Sequence, residues 1–336
     1  MLPKINLLFS PEWTDYELLD SGDGQKLERF GPYTFARPEV QALWRKALPA
    51  EKWQAAHAFF IPSGEESGGH WDLRKRLNEK WEMSYPLTPC PSPEGRGEKK
   101  GTPPPPPGDR EPSRREAEGG SGVRALRFTT MTTPGRHLGV FPECAAHWDW
   151  IAGKIAQRVR EKGEQVQVLN LFGYTGLATL AAAAAGAKVT HVDASKKSVT
   201  WARENQALSG LAEKPVRWIV DDALKFVERE ARRGVKYDGI LLDPPKFGRG
   251  PKGEVWELYQ SLPELLRLCR LVLSEAPLFV VLTIYAVKLP ALHAHAALAE
   301  LLQGFGGSLE CGELVTREKS AGRLLSQAVY ARWQGA

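Results

Sequence analysis

Between residues 166 and 286, five short apolar runs alternate with helix-patterned stretches: VQVLNLF (166–172), KVTHVD (188–193), VRWIV (216–220), YDGILLD (237–243) and LFVVLTIYA (278–286). Strands this continuously apolar are buried on both faces, which a parallel sheet covered by helices requires and an open meander does not. The spacers supply helices from the LFGYTG turn to Gly186, over 195–208, over 222–233 and over about 254–274. This alternation predicts an α/β fold with a doubly wound, mostly parallel sheet. After a last helix near 291–304, LECGELVT (309–316) and LLSQAVYARW (324–333) follow with no helix between them. Two strands joined that directly form an antiparallel hairpin, so the sheet is expected to close on one.

Upstream the pattern changes. Residues 1–85 carry strand-like pieces with Gly-Asp-Gly and Gly-Pro turn signals, and predict a small β-rich N-terminal domain. Its tryptophans Trp13, Trp44, Trp53, Trp71 and Trp81 read as core filling, with base stacking as the other use. Residues 86–122 contain no aromatic and no β-branched aliphatic residue, so they are expected to be a disordered Pro/Gly-rich insert. KWEMSY (80–85) and VRALRFTTMTT (123–133) flank it as strands, which makes it an enlarged hairpin loop. The α/β domain is then expected over 123–336.

Composition excludes some classes. Apolar content of 42% and charged content of 25% are those of a soluble globular chain, and no run is apolar enough to span a bilayer. The start lacks a secretory signal pattern. Cys90, Cys144, Cys269 and Cys311 lie far apart without metal-ligand spacing, so the expectation is a reducing cytoplasm and no metal. A net charge of +5 is compatible with a nucleic-acid partner, and Arg74, Lys75 and Arg76 extend a basic surface or sit on a solvent-facing helix.

The chemistry gathers at strand ends. VLNLFGYTGLATL (168–180) is a strand, a glycine turn and a helix start, in which Gly173 and Gly176 bring backbone N–H groups close to a ligand. The full three-glycine dinucleotide fingerprint is absent. The next strand ends at Asp193, where a carboxylate can accept both hydroxyls of a ribose. The third ends in Asp221-Asp222, of which Asp222 is the candidate for an adenine amine and helix capping the competing use. The fourth ends at Asp243, followed by Pro244, Pro245 and Lys246. Neither proline donates to a ladder, and the stiff elbow fixes where Asp243 and the neighbouring carbonyls point. These features suit a nicotinamide dinucleotide or S-adenosylmethionine, and the acid expected of a hydride-transfer enzyme does not stand out.

NLFGYTG (170–176), VDASKKSVTWARENQALSGL (192–211), DDALKF (221–226) and DPPKFGRG (243–250) together resemble the class I S-adenosylmethionine-dependent methyltransferases. More closely they resemble the bacterial ribosomal-RNA family that includes the large-subunit cytosine-C5 enzyme. GRHLGVFPECAAHW (135–148) is similar to the segment that precedes the catalytic domain there. The resemblance implies a Rossmann-like, seven-stranded methyltransferase sheet, mostly parallel, with the closing antiparallel hairpin. It implies S-adenosylmethionine held by Asn170, Phe172, Gly173, Thr175, Gly176, Asp193, Ala194, Ser195 and Asp222, with Asp243 at its reactive end and Phe141 and Glu143 covering it. Catalysis would fall to Asp243, Pro244, Pro245 and Lys246.

One departure bears on the chemistry. Carbon-5 methylation of a pyrimidine needs a cysteine thiolate, placed just after strand five in the cytosine enzymes, and LTIYAVK (282–288) has none. Only Cys144 lies near enough to substitute. Lys246, Arg249 and Lys252 form a cationic loop suited to phosphate. The expectation is a cytoplasmic methyltransferase acting on an RNA base, with ribosomal RNA foremost and the oligomeric state open. The alternatives are a protein or small-molecule methyltransferase and an inactive cofactor-binding RNA module.

Overall fold

The computed structural model describes residues 3–9, 13–63, 68–87, 123, 125–285 and 289–336. Most of the expected insert over 86–122, including Cys90, lies outside the described residues, as do 286–288.

β1 (Ile5–Leu8) opens the chain. β2 (Tyr16–Gly22), β3 (Gln25–Phe30) and β4 (Tyr33–Pro38) then form an antiparallel meander. A short helix, α1 (Ala50–Gln54), leads to β5 (Ala58–Pro62), which joins β4 in parallel, and β6 (Gly69–Leu73) completes a five-stranded sheet. Residues 74–76 follow β6 outside any helix; Arg74 pairs with Asp72 at 2.6 Å and the Lys75 ammonium donates to the Ala55 carbonyl. The solvent-facing helix considered for them is therefore not formed. β7 (Trp81–Pro86) and β8 (Ala125–Thr130) pair antiparallel on either side of the insert, from Trp81 opposite Thr130 to Pro86 opposite Ala125.

The α/β part begins with α2 (Ala145–Lys162). Then come β9 (Gln167–Leu171), α3 (Leu177–Ala184), β10 (Lys188–Asp193), α4 (Lys196–Leu208), β11 (Val216–Val220), α5 (Ala223–Arg232) and β12 (Gly239–Leu242). A small hairpin, β13 (Phe247–Arg249) with β14 (Val255–Glu257), precedes α6 (Leu258–Val272). β15 (Phe279–Ile284), α7 (Ala291–Leu301), β16 (Ser308–Arg317) and β17 (Leu324–Gln334) finish the chain. The large sheet runs β1-β16-β17-β15-β12-β9-β10-β11. β9, β10, β11, β12 and β15 are parallel, and β17 enters antiparallel between β15 and β16. The sheet thus has eight strands rather than seven. β1 adds to β16 in parallel and pairs what would otherwise be an exposed edge of the closing hairpin.

One apolar cluster joins the two halves. Trp13, Phe30, Phe35 and Trp81 of the N-terminal part are buried with Trp148, Leu177 and Leu180 of the α/β part. A buried polar network reinforces the joint. Asp20, fully buried, accepts from the backbone N–H of Ala47 and Leu48 and from Trp53 Nε1. Glu318, at the tip of the β16–β17 hairpin, accepts from Ser21 Oγ at 2.5 Å, and Arg323 bridges Glu318 at 2.7 Å and Asp20 at 3.3 Å. Burial alone would raise the Asp20 pKa, but hydrogen bonds from Leu48, Ser320 and Trp53 hold it below the usual range. Asp20 therefore contributes stability that is present above the unfolded carboxylate value near about pH 4 and is lost as pH falls through the lower folded value.

Removing Arg323 would leave two buried carboxylates facing one another. Arg323→Ala is expected to lower unfolding free energy by about 3 kcal/mol in urea titration; a loss below about 0.5 kcal/mol would mean the network is ornamental.

Candidate active site

β10 flanks β9 on one side and β12 on the other, so the strand order reverses at β9 and opens a crevice beyond the carboxyl ends of these strands. The 172–176 turn walls it. Phe172, Tyr174 and Gly176 adopt positive φ of 58°, 48° and 88°, which winds the turn tightly. Gly173 is required from beneath: a Cβ there would lie 2.4 Å from the ring of His191. His191 is fully buried and shares a hydrogen bond with Thr179 Oγ1, to which Asn170 Nδ2 also donates at 2.8 Å. Asn170 thus supports the turn from within while lining the crevice. Thr175 Oγ1 donates to the Gly139 carbonyl at 2.6 Å and ties the preceding segment to the turn. Phe172 packs against Trp256, ring centroids 4.8 Å apart.

Asp193, at the end of β10, accepts from Tyr174 N–H at 2.9 Å on one oxygen and from Ser195 N–H at 2.8 Å on the other. Each oxygen keeps a lone pair for a ligand hydroxyl. Burial raises its pKa, which the two N–H donors partly offset. Ala194 follows it, half-buried, and Ser195 caps α4 by accepting from Ser198 N–H. Asp222 caps α5, one oxygen accepting from Lys225 N–H at 3.0 Å, so the capping use considered for it is real and leaves adenine contact to its other oxygen. Asp221 is engaged by Arg229.

Asp243 lines the same crevice beyond β12, together with Phe141, Cys144, His147 and Thr283. Its Oδ1 is buried without a hydrogen-bond partner among the described residues. Burial, with Glu143 nearby, pushes its pKa up to about 7. Pro244, Pro245 and Lys246 are not part of the crevice wall. The Pro245 carbonyl accepts from Trp256 Nε1 at 2.7 Å, and the Lys246 ammonium lies over the Phe247 ring at 5.1 Å. The elbow therefore positions Asp243 and anchors the β13–β14 hairpin. The stretch carrying Lys246, Arg249 and Lys252 is this hairpin rather than an open loop.

Two features escaped the sequence. His147 in the first turn of α2 is buried, with neither ring nitrogen hydrogen-bonded among the described residues, and burial plus Arg332 drives its pKa down to about 3. Tyr285, just past β15, stands 5.5 Å from Phe141 between ring centroids, and Tyr174 stands 5.7 Å from Phe141 on another side. No local pattern in HWDW or TIY marks these residues; tertiary contact does. Burial also pushes up the thiols of Cys144, Cys269 and Cys311, at Cys144 with help from Asp243 and Glu143. Among the described residues no cluster of His, Cys, Asp and Glu could hold a metal, and no helix is long and apolar enough to cross a membrane.

Residues 146–262 match the family described as conserved hypothetical protein 95. The ribosomal RNA large subunit methyltransferase K/L of Shewanella frigidimarina is 38% identical over 110 residues, 32% of this chain. That stretch spans only 15% of the relative's length. A putative S-adenosylmethionine-dependent methyltransferase from Streptococcus mutans shares the fold, with a TM-score of 0.63 at 14% identity over 96% of this chain and 75% of that one. The crystal structure of the S-adenosylmethionine-dependent methyltransferase from Agrobacterium tumefaciens superposes with a TM-score of 0.81 at 42% identity, covering 98% of this chain and 93% of that one. With near-complete coverage at that identity, the chain belongs to the S-adenosylmethionine-dependent methyltransferases.

Proposed function

We propose that this methyltransferase acts in the cytoplasm on an exocyclic amine of an RNA base, ribosomal RNA foremost. The observation that carries the reading is Asp243: a carboxyl whose Oδ1 is buried and unpartnered among the described residues, on a rigid elbow, lining the crevice. The ribosomal-RNA methyltransferases similar to part of the chain support RNA as the substrate class.

The residues present fit the cofactor. Asp193 would take the ribose hydroxyls, and Gly173, Thr175 and Gly176 would face the methionine part, with Asn170 behind them. Phe172, Ala194, Ser195 and Asp222 would line the adenosine. When bound, S-adenosylmethionine supplies an electrophilic methyl group on a sulfonium sulfur. Asp243 would accept a hydrogen bond from the acceptor amine, aim its lone pair, and take its proton as the nitrogen–carbon bond forms and the carbon–sulfur bond breaks. The raised thiols of the described cysteines favour nitrogen over carbon 5, because covalent activation needs a thiolate. Lys246, Arg249 and Lys252 would meet phosphate on the hairpin beside the mouth.

Asp243→Asn is expected to bind S-adenosylmethionine within about threefold of wild type yet lose about 100-fold in kcat. Unchanged kcat would remove Asp243 from the reaction. Its carboxyl is protonated below its raised pKa and becomes an acceptor above it. kcat/KM for the cofactor, which reports on the free protein, should therefore rise through about pH 7 in wild type and stay flat in the asparagine variant. Asp193→Asn is expected to weaken cofactor binding about tenfold or more by calorimetry; equal affinity would contradict the ribose role. Substrate class is tested by supplying methyl-labelled S-adenosylmethionine with naked ribosomal RNA, ribosomal subunits, transfer RNA and bulk protein in parallel, then resolving digests by mass spectrometry. Label in an N-methylated nucleoside is expected. Label only in protein would refute RNA, 5-methylcytidine would return attention to Cys144, and binding without transfer would indicate a non-catalytic module.

A further inference from the structure

A second cavity adjoins the cofactor crevice across Val140 and Phe141, and the reading above gives it no role. It encloses about 170 Å³ where four parts of the chain meet: the β3–β4 face of the N-terminal sheet, the 136–143 segment, the end of β15 and β17. Its wall is polar and densely charged, and two of its three cations, Lys26 and Arg37, face acids. Lys26 lies 3.4 Å from Glu39 and 3.9 Å from Glu28, and donates to Gln327 Oε1 at 2.6 Å. Arg37 pairs with Glu28 at 2.6 Å and donates to the Arg136 carbonyl at 2.9 Å. Glu28 is buried, and although burial alone would raise its pKa, Arg37 and Lys26 keep it below the usual range and hence ionised. Such pairing leaves little net field to draw in a free phosphate or a carboxylate, because each of these cations already faces an acid.

What the wall does offer is hydrogen bonding and a group of mutually tilted aromatic rings. Gln41, Gln327 and Glu143 present donors and acceptors, and Arg136 adds a donor group. His137 faces Phe141 at 4.8 Å and Phe141 faces Tyr285 at 5.5 Å between ring centroids. Burial with Arg37 and Arg136 takes the His137 pKa down to about 3, so its imidazole is neutral. A neutral, planar, heteroaromatic ligand with mixed donor and acceptor edges matches these walls. The cavity also shares Phe141 with the crevice that Asp243 lines, so such a ligand would sit beside the reactive end of the cofactor.

We propose that this cavity receives the acceptor nucleobase, turned out of its RNA stack, with Phe141 and Tyr285 as its stacking wall and Gln327 and Glu143 reading its edge. The N-terminal sheet then serves substrate choice as well as packing: its Lys26, paired with Glu28 and Glu39, donates to Gln327 Oε1 and holds it in place. Extrusion of a base into a shaped pocket is how enzymes reach atoms hidden by stacking, and discrimination among bases comes from edge hydrogen bonds. This assignment rests on the RNA reading.

The test uses the full chain saturated with S-adenosylhomocysteine, titrated separately with adenosine, guanosine, cytidine, uridine and inorganic phosphate, and read by saturation-transfer NMR. Base protons of one nucleoside are expected to receive saturation. Gln327→Ala should weaken that binding about tenfold and Gln327→Trp, which fills the cavity, should abolish it. Both variants should keep wild-type stability and S-adenosylhomocysteine affinity, since Lys26 retains Glu28 and Glu39. Binding of none of the nucleosides, binding that survives Gln327→Trp, or binding of phosphate alone would overturn the proposal. The labelled-methyl assay separates the two failures. RNA labelled at an undiminished rate by Gln327→Trp would refute the cavity and leave the RNA reading standing, whereas label confined to protein would refute both.

Discussion

The Asp193 carboxylate is the interaction on which the site depends. Its two oxygens accept from Tyr174 and Ser195, so one side chain fastens the turn after β9 to the start of α4. That tie helps to offset the strain of Phe172 and Tyr174, two non-glycine residues held at positive φ. Each oxygen accepts one of these bonds and keeps a further lone pair.

The hold extends outward through the turn. Thr175 ties it to Gly139, and Asn205 Nδ2 donates to the Thr175 carbonyl from α4. Those bonds fix the segment that carries Phe141, Glu143 and Cys144 over the crevice. Glu143 then stands between two environments: it helps raise Asp243 on one side and shares the polar cavity with Lys26 and Arg37 on the other. The N-terminal sheet is held against this arrangement by the tryptophan-rich cluster and by Arg323 between Asp20 and Glu318. The α/β part from α2 onward lacks Val140, Phe141 and Cys144, so the crevice wall itself depends on the preceding segment.

Local pattern and long-range contact divide what was legible beforehand. β9, β10, β11, β12 and β15 were legible because a doubly covered strand must be apolar throughout, and the closing hairpin because no helix fits between β16 and β17. Gly173, Asp193 and Asp243 stood out because strand ends and turns constrain residue type locally. β1 was not legible as part of the large sheet, since four residues pairing with a strand some 300 positions away leave no periodic trace. The same holds for Lys26 with Gln327 and for His147 in the crevice wall. The reading of Asp222 as a choice between cap and ligand had a local basis, and its cap hydrogen bond occupies one oxygen only. Glycine 173 had a second reason that no sequence displays: the His191 ring directly beneath it.

The most direct measurement is a crystal structure of the full chain with S-adenosylhomocysteine. Both ribose hydroxyls are expected on the Asp193 carboxylate, the methionine portion along 173–176, and the sulfur at the Asp243 end, with the cavity beyond Phe141 open next to it. Density for the ligand away from Asp193, or with its sulfur turned from Asp243, would contradict the assignment of the crevice and of the reaction built on it.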